Sequence, residues 1–397
     1  MKFKWFAVIT IFSLLVLALI GCGSSQTSEQ NREGVSQTTQ VKTVKLAFEG
    51  PMTGNYAAFG EDMFRGFKMA VEEINAAGGF QAGPLKGSKI EIAGPFDDRG
   101  DPTEAANIAQ KVVNDKGIFA YVGPGNSSCA NAAYPVLSRA NLTIINPYCT
   151  DPKLTRLGFK THFRILLDND VQSEEIARYL VEVFGKKNLA MVYSNNDYGR
   201  TIAETCRTAA EKLGANIAVD YGFTPGNTDY SVLVTQMKNK KVDGIALLCE
   251  YTDAALILKQ SKAAGMDVNK SIPAVCAAGN NFPEFMEIGG EATEGTLLLT
   301  TWAMRLDNPL IKDFVGKFQD KYGCFPSECA SYTYDAVKLI QKAVETGADS
   351  RENLANYVRQ IKDFVGVSGK IAFDENGQAI NKKADLLVVK NREFVPY

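Results

Sequence analysis

From residue 43 onward, short apolar runs alternate with longer amphipathic ones. The apolar runs cover 44–48, 90–93, 117–122, 142–145, 163–166, 189–193, 217–221, 244–249, 272–276 and 296–301. Runs of that length, bounded by turn residues, predict buried strands. Between them, apolar residues return with helical spacing. Residues 61–75 place Phe64, Phe67, Val71 and Ile74 on one side, and Gly78-Gly79 follows as a stop. Asp101 and Pro102 read as the cap and first residue of a helix running to about 115. Further helices are predicted over 198–213, 230–238, 252–264, 309–322, 331–346 and 354–360. Segments 370–373 and 385–389 are expected to pair as a two-stranded return. A repeated strand–helix–strand order predicts an α/β architecture with parallel sheets. The series is too long for one compact sheet. Two lobes are therefore expected, with a first crossing at Asp168-Asn169-Asp170.

Residues 121–150, YVGPGNSSCANAAYPVLSRANLTIINPYCT, stand at the centre of this pattern. A buried strand breaks at Gly123-Pro124-Gly125-Asn126, and Ser127 and Ser128 follow where a helix should begin. That helix carries Ala132, Ala133, Val136 and Leu137 on one face and ends near Asn141. A second strand then opens into Asn146-Pro147-Tyr148-Cys149-Thr150. In a parallel sheet both loops lie side by side at the carboxyl ends of their strands, where open α/β sheets bind ligands. The Ser127 hydroxyl beside the free N–H groups of a helix start favours an anion, and Thr150 adds a second hydroxyl. A small carboxylate fits between them. Capping is the ordinary role of serine at a helix start and competes with this reading.

Composition changes the picture little. The 397 residues suffice for two domains with a sizeable core, and 45% apolar with 22% charged residues is ordinary for a soluble globular protein. A formal charge of −2 gives no reason to expect nucleic acid as a partner.

The amino terminus changes it more. Lys2 and Lys4 flank the start of a nearly unbroken apolar run over 6–20. That run is shorter than the ~20 residues a spanning helix needs. Leu19-Ile20-Gly21-Cys22 follows and resembles the lipobox of bacterial lipoproteins, in which the cysteine thiol carries diacylglycerol. Residues 1–21 are expected to be a signal peptide, and 22–42 a lipidated Cys22 with a disordered tether rich in Ser, Gln and Thr. The mature protein is expected outside the cytoplasmic membrane, held there by lipid. Seven further cysteines remain: Cys129, Cys149, Cys206, Cys249, Cys276, Cys324 and Cys329. Their odd number leaves at least one free thiol or an intermolecular bridge. Cys324 with Cys329, and Cys249 with Cys276, are the candidates for pairing. No C-x-x-C pair occurs and His162 is the one histidine, so neither a zinc site nor any other cofactor is expected. His162 borders the apolar run at 163–166 and reads as structural.

Several stretches belong together: FEGPMTGNYAAFG from residue 48, INAAGG from 74, DDRGDPTEAANIAQKVVND from 97, the central block, NNDYGR from 195, FTPGNTDYSVLVTQMK from 223 and SYTYDAVKLIQKA from 331. Over residues 43–390 the chain resembles the leucine/isoleucine/valine-binding proteins of bacterial ABC importers, which have the type I periplasmic-binding fold. The resemblance implies two doubly wound parallel-sheet lobes joined by a three-crossing hinge, with the ligand in the cleft between them. The N-terminal lobe would comprise 43–167 plus 302–378, and the C-terminal lobe 168–301 plus 379–397. Ser127 and Thr150 would hold the ligand carboxylate, and the backbone of Tyr148 would touch its amino group. Phe59 and Tyr198 would cover it from the two lobes. Branched-chain binders pair the ligand ammonium with an acid of the second lobe, but Ala278 stands in that place here. Glu250 stands where the family often has an aromatic, at the carboxyl end of a predicted strand, and is the best-placed substitute. Cys329 also replaces an aromatic of many relatives.

The function implied is that of an extracytoplasmic lipoprotein, monomeric and not an enzyme. It would bind a small solute, foremost an amino acid of branched-chain type, and deliver it to the membrane permease of an ABC importer. An amide, a urea-like compound or a small carboxylate is the alternative ligand. Two other function classes fit the sequence less well. Gly123-x-Gly125-x-x-Ser128 is a near miss to a dinucleotide-binding glycine pattern. Its third position is Ser, and the next strand ends in Asn146-Pro147-Tyr148 without the acid that grips ribose. A sensory ligand-binding module usually continues into a membrane helix and a signalling domain, whereas this chain stops at Tyr397.

Overall fold

The computed structural model describes residues 43–380 and 382–397; the expected signal peptide, Cys22 and tether lie outside the described residues. The first five strands, β1 (Thr43–Gly50), β2 (Lys89–Asp97), β3 (Ile118–Val122), β4 (Thr143–Asn146) and β5 (His162–Arg164), form a parallel sheet in the order β2-β1-β3-β4-β5. Its connections carry α1 (Ala57–Ala76), α2 (Pro102–Asn114), α3 (Ser127–Arg139) and the short α4 (Lys153–Arg156). Asp101 caps α2 through the N–H groups of Thr103 and Glu104, as its sequence predicts.

The chain then enters α5 (Asn169–Arg178), extended by a π-helical turn over Tyr179–Val183. A second sheet follows, built from β6 (Asn188–Ser194), β7 (Asn216–Phe223), β8 (Gly244–Leu248), β9 (Ala274–Cys276) and β10 (Leu297–Thr300). Its helices are α6 (Asp197–Lys212), α7 (Ser231–Asn239), α8 (Tyr251–Ala263) and α9 (Pro283–Gly289). The chain returns to the first lobe through α10 (Pro309–Tyr322), α11 (Glu328–Glu345) and α12 (Leu354–Gln360). There α11 lies directly on α1: a Cβ at Gly66 would meet the backbone of Ala330, so only glycine permits that approach. After the hairpin of β11 (Phe364–Gly366) and β12 (Gly369–Ile371), the chain crosses again to β13 (Asp385–Lys390) and β14 (Glu393–Pro396). The second sheet is ordered β14-β13-β10-β9-β8-β6-β7, with β13 and β14 antiparallel. The protein therefore has two α/β lobes, and the chain passes between their sheets three times.

Strands β3, β4 and β8 are buried along their whole length. Helices cover both faces of a parallel sheet, which is why these runs are apolar without alternation. One sequence expectation fails here, and one is incomplete. Segments 370–373 and 385–389 do not pair with each other. The first belongs to a local hairpin, and β13 lies against β10 with Leu297 opposite Val388. The polar stretch at 168–170 is not only a crossing. Asp168 accepts hydrogen bonds from the Asp170 and Val171 N–H groups and so caps α5. Its first two turns bury the polar Asn169, Gln172 and Ser173, and its apolar face starts only at Ile176 and Ala177, which is why hydrophobic periodicity missed it.

All seven described cysteines are unpaired. Cys276 lies opposite Leu247, which places Cys249 two residues further along the neighbouring strand. Cys329 sits in the first turn of α11, whereas Cys324 lies beside the Arg65 guanidinium at 3.6 Å. Burial pushes the thiols of Cys249, Cys276 and Cys329 up, so they stay protonated and inert. His162 is fully buried, meets the Leu154 carbonyl through Nδ1 at 3.1 Å, and is held neutral by burial, with a pKa lowered to about 3.

A buried acid pair lies beneath the first sheet's carboxyl edge. Glu49, Asp98 and Tyr121 have no exposed surface. Both Glu49 oxygens, Asp98 Oδ2 and the Tyr121 hydroxyl lack hydrogen-bond partners among the described residues. Burial, and then the neighbouring Asp98, holds the Glu49 carboxyl well above its usual range; burial also pushes Asp98 up to about 7. The folded chain thus keeps protons that the unfolded chain releases above about pH 4, and stability falls as pH rises from there towards about 7. Glu49→Gln should flatten that slope. Its melting temperature should match the parent's near pH 5 and exceed it near pH 8. Parallel melting curves across that range would contradict this account.

Candidate functional site

Both sheets reverse their winding direction once, between β1 and β3 in the first and between β6 and β8 in the second. Loops at such switch points leave a crevice at the carboxyl ends of the strands. Here the two crevices face each other and enclose one cleft lined from both lobes. All six residues singled out from the sequence, Phe59, Ser127, Tyr148, Thr150, Tyr198 and Glu250, line this one cleft.

On the first side, Ser127 is the first residue of α3 and is almost fully buried. Neither serine caps the helix. Asn126 does so, its Oδ1 accepting from the Cys129 N–H at 2.9 Å. The Ser127 hydroxyl instead accepts from the Asp151 N–H at 3.3 Å, which leaves its own proton free to donate. Thr150 reaches the cleft from the loop after β4. That loop is held from below by Arg164, a fully buried side chain whose Nη1 donates to the Asp151 carbonyl at 2.6 Å. The same guanidinium reaches Asp168 Oδ2 at 3.3 Å, near the first crossing, and Gln378 Oε1 at 2.6 Å, near the third. Tyr148 gives its N–H to Asn146 Oδ1 and its hydroxyl to Glu328 Oε1. Its carbonyl and ring are what remain for a ligand. Phe59, in the first turn of α1, meets Tyr148, Tyr251 and Phe282 at ring-centre distances of 5.6, 5.6 and 4.8 Å.

On the second side, Glu250 precedes α8 but makes no capping bond to it. Its carboxylate accepts from the Ser194 hydroxyl at 2.7 Å and from Asn196 Nδ2 at 3.4 Å. It is only 9% exposed and is not a solvated acid at the strand end. Burial pushes its carboxyl up, and the Ser194 bond draws it part of the way back. Such a group gains most from a cation that enters the cleft. Tyr198 lies just inside the start of α6, which Asn196 caps, and its hydroxyl donates to the Ala278 carbonyl at 3.3 Å. Ala278 lines the cleft with no charge to offer, and its N–H is bound to Gln172 Oε1 at 3.1 Å. Next to it, Gly279 has φ +98 and lies against Phe59 and Tyr148, so the loop needs glycine both for backbone and for space.

Sequence reasoning missed Tyr56, Asn126, Gln172 and Thr301, which also line the cleft. Gln172 sits on the helix that hydrophobic spacing did not reveal. It missed Glu328 as well. This carboxylate is fully buried and accepts from Tyr148, from the Gly279 N–H at 3.0 Å, and from the hydroxyls of Thr300 and Thr301, each at 2.8 Å. It ties the Tyr148 loop to the second crossing and to the second sheet. Cys329, which replaces an aromatic of many relatives, does not line the cleft.

A family model described as periplasmic binding protein matches residues 43–393. The chain belongs to that family. Among curated relatives, the leucine-, isoleucine-, valine-, threonine- and alanine-binding protein of Pseudomonas aeruginosa is 30% identical, over 87% of this chain and 90% of its own length. The Leu/Ile/Val/Thr-binding protein of Salmonella typhimurium is 31% identical, over 84% and 88%. The crystal structure of the leucine binding protein LivK from Thermotoga maritima aligns with a TM-score of 0.81 at 29% identity, covering 89% of this chain and 97% of that one. LivJ from Streptococcus pneumoniae, solved in complex with isoleucine, aligns at 0.80 and 28%, covering 90% and 100%. As a periplasmic binding protein the chain is a solute binder and not an enzyme, and its family implies an extracytoplasmic location.

Proposed function

We propose that this protein binds an α-amino acid, foremost of branched-chain type, in the cleft between its lobes and delivers it to the membrane permease of an ABC importer. The observation that carries the reading is the Glu250 carboxylate, buried and poised across the cleft from the hydroxyls of Ser127 and Thr150. An amino acid presents one anion and one cation on adjacent carbons. Ser127, Thr150 and the start of α3 suit the anion. Glu250 and the Tyr148 carbonyl suit the cation. Phe59 and Tyr198 cover the ligand, and the lobes, 43–167 plus 302–378 and 168–301 plus 379–397, close on it as a monomer by hinge motion.

A thermal-shift screen against amino acids, amides, urea and small carboxylates tests this, because a ligand that binds only the folded state raises the melting point. A response confined to amides, urea or simple carboxylates would give the second reading, which the uncharged Ala278 favours. Anchoring through lipid on Cys22 is part of the proposal and rests on the Leu19-Ile20-Gly21-Cys22 sequence. Cys22→Ser should release the protein from membranes or leave the precursor uncut. Unchanged acylation in mass spectra of that variant would remove Cys22 as the anchor.

A further inference from the structure

A second polar cluster lies at the mouth of the cleft, and ligand binding as proposed makes no use of it. Asn131 Nδ2, on α3, donates to Asp151 Oδ2 at 3.0 Å on its own side of the cleft. The same nitrogen donates to Asp197 Oδ2 at 2.9 Å, on the opposite lobe at the start of α6. The Asp197 N–H in turn donates to Ser128 Oγ at 3.1 Å, a second bond across the gap. Arg200 Nη2 holds the other Asp197 oxygen at 2.7 Å, and the Lys153 N–H holds the other Asp151 oxygen at 2.9 Å. One amide thus satisfies two carboxylates from two lobes. Remove it, and two partly buried acids face each other with no donor between them.

The placement along the chain matters as much as the bonds. Ser128 follows Ser127, Asp151 follows Thr150, and Asp197 precedes Tyr198. Each of these three loops carries one residue on the ligand cleft and an adjacent residue in the bridge at its mouth. The recess lined by Ser128, Asn131 and Asp197 shares Tyr56 and Asn126 with the ligand cleft. A shift of any of these loops towards a ligand therefore moves the bridge as well.

We propose that Ser128, Asn131, Asp151 and Asp197 form a latch that joins the lobes when the cleft closes and sets how long a ligand is retained. These are positioning residues: they touch each other and do not line the ligand cleft. The proposal rests on the interlobe cleft being the ligand site. The bonds that join Asn131 and Ser128 to Asp197 connect the lobes of two different sheets, so they exist only while the lobes are together. Interactions made only in the closed state slow dissociation and leave association unchanged.

The test uses the full mature chain with one fluorescent dye on each lobe, read by single-molecule energy transfer, without ligand and with a mixture of the twenty amino acids. Asn131→Asp places a third carboxylate between Asp151 and Asp197, and Ser128→Ala removes the other bond. Closed-state dwell times should shorten about tenfold to hundredfold in Asn131→Asp, the loss expected for charge-assisted hydrogen bonds, and less in Ser128→Ala. Opening should accelerate, closing should not, and the melting temperatures of the ligand-free variants should stay near the parent's. Dwell times equal to the parent's in both variants, with and without amino acids, overturn the latch. So does a shortening matched by an equal loss of thermal stability. If the parent ignores the amino acids while the ligand-free dwell times still differ, the latch stands and the amino acid reading falls.

Discussion

Glu250→Gln should lose most α-amino acid binding while leaving the fold intact. An ammonium buried in a closed cleft needs a counter-charge, because an unpaired buried ion is expensive. Glu250 is the charged side chain lining the cleft, and Ala278 supplies none. Glutamine keeps the size and an acceptor oxygen but removes the charge. Breaking a buried ion pair by removing one partner costs about 3–5 kcal/mol, so affinity should fall by two orders of magnitude or more. The amide oxygen can still accept the 2.7 Å bond from Ser194, and only the long 3.4 Å contact from Asn196 to the other oxygen is lost, so thermal stability without ligand should change little. Calorimetric titration of both proteins with leucine, isoleucine and their des-amino analogues checks this. The parent should reject the des-amino compounds. Equal amino acid affinity in the two proteins refutes Glu250 as the anchor. Preference of the parent for a des-amino or amide compound removes amino acids from the reading.

Ser127→Ala and Thr150→Ala should each weaken binding by about 1.5–3 kcal/mol, the usual worth of a hydrogen bond to a charged group. Ser127 is free for this role because Asn126 already caps α3, so its loss should leave the helix start intact. The one structural bond at stake is the 3.3 Å contact from the Asp151 N–H, a long and weak one. Affinity should therefore change more than melting temperature in both variants. If both bind as tightly as the parent, the carboxylate sits elsewhere. The two substitutions should also affect a simple carboxylate ligand, whereas Glu250→Gln should not. The three variants together thus separate the anionic from the cationic half of the site.

Much of the site was legible because it lies on loops punctuated by unmistakable residues. Gly123-Pro124-Gly125 ends a buried strand, and two serines follow, so the position of Ser127 at a helix start needed only local rules. The competing reading of Ser127 as the cap fails by one residue. Asparagine and serine are nearly equal as caps, and only the backbone conformation of Asn126, extended at φ −140 and ψ 157, decides between them. Glu250 followed from its place after a buried strand. Gln172 and Glu328 did not follow from anything local. Each is a polar residue near the start of a helix, where such residues are usually solvated, and each is bound by segments far away in the chain, the Ala278 loop for Gln172 and the Gly279 and Thr300-Thr301 segments for Glu328.

By itself the sequence determined the alternating α/β elements, the parallel sheets and the loops that carry ligand chemistry. These depend on short-range periodicity and on turn residues, whose physics acts within one strand or one helical turn. Tertiary structure alone decided what meets across the cleft. The pairing of β13 with β10 rather than with 370–373, the free thiols, the burial of Glu250 and Glu328, and the Asn131 bridge all depend on contacts between residues far apart in the chain. Apolar alternation states that a strand has a buried face but not which neighbour covers it. An acid's formal charge states that it needs a partner but not whether water, a backbone donor or a ligand will supply one.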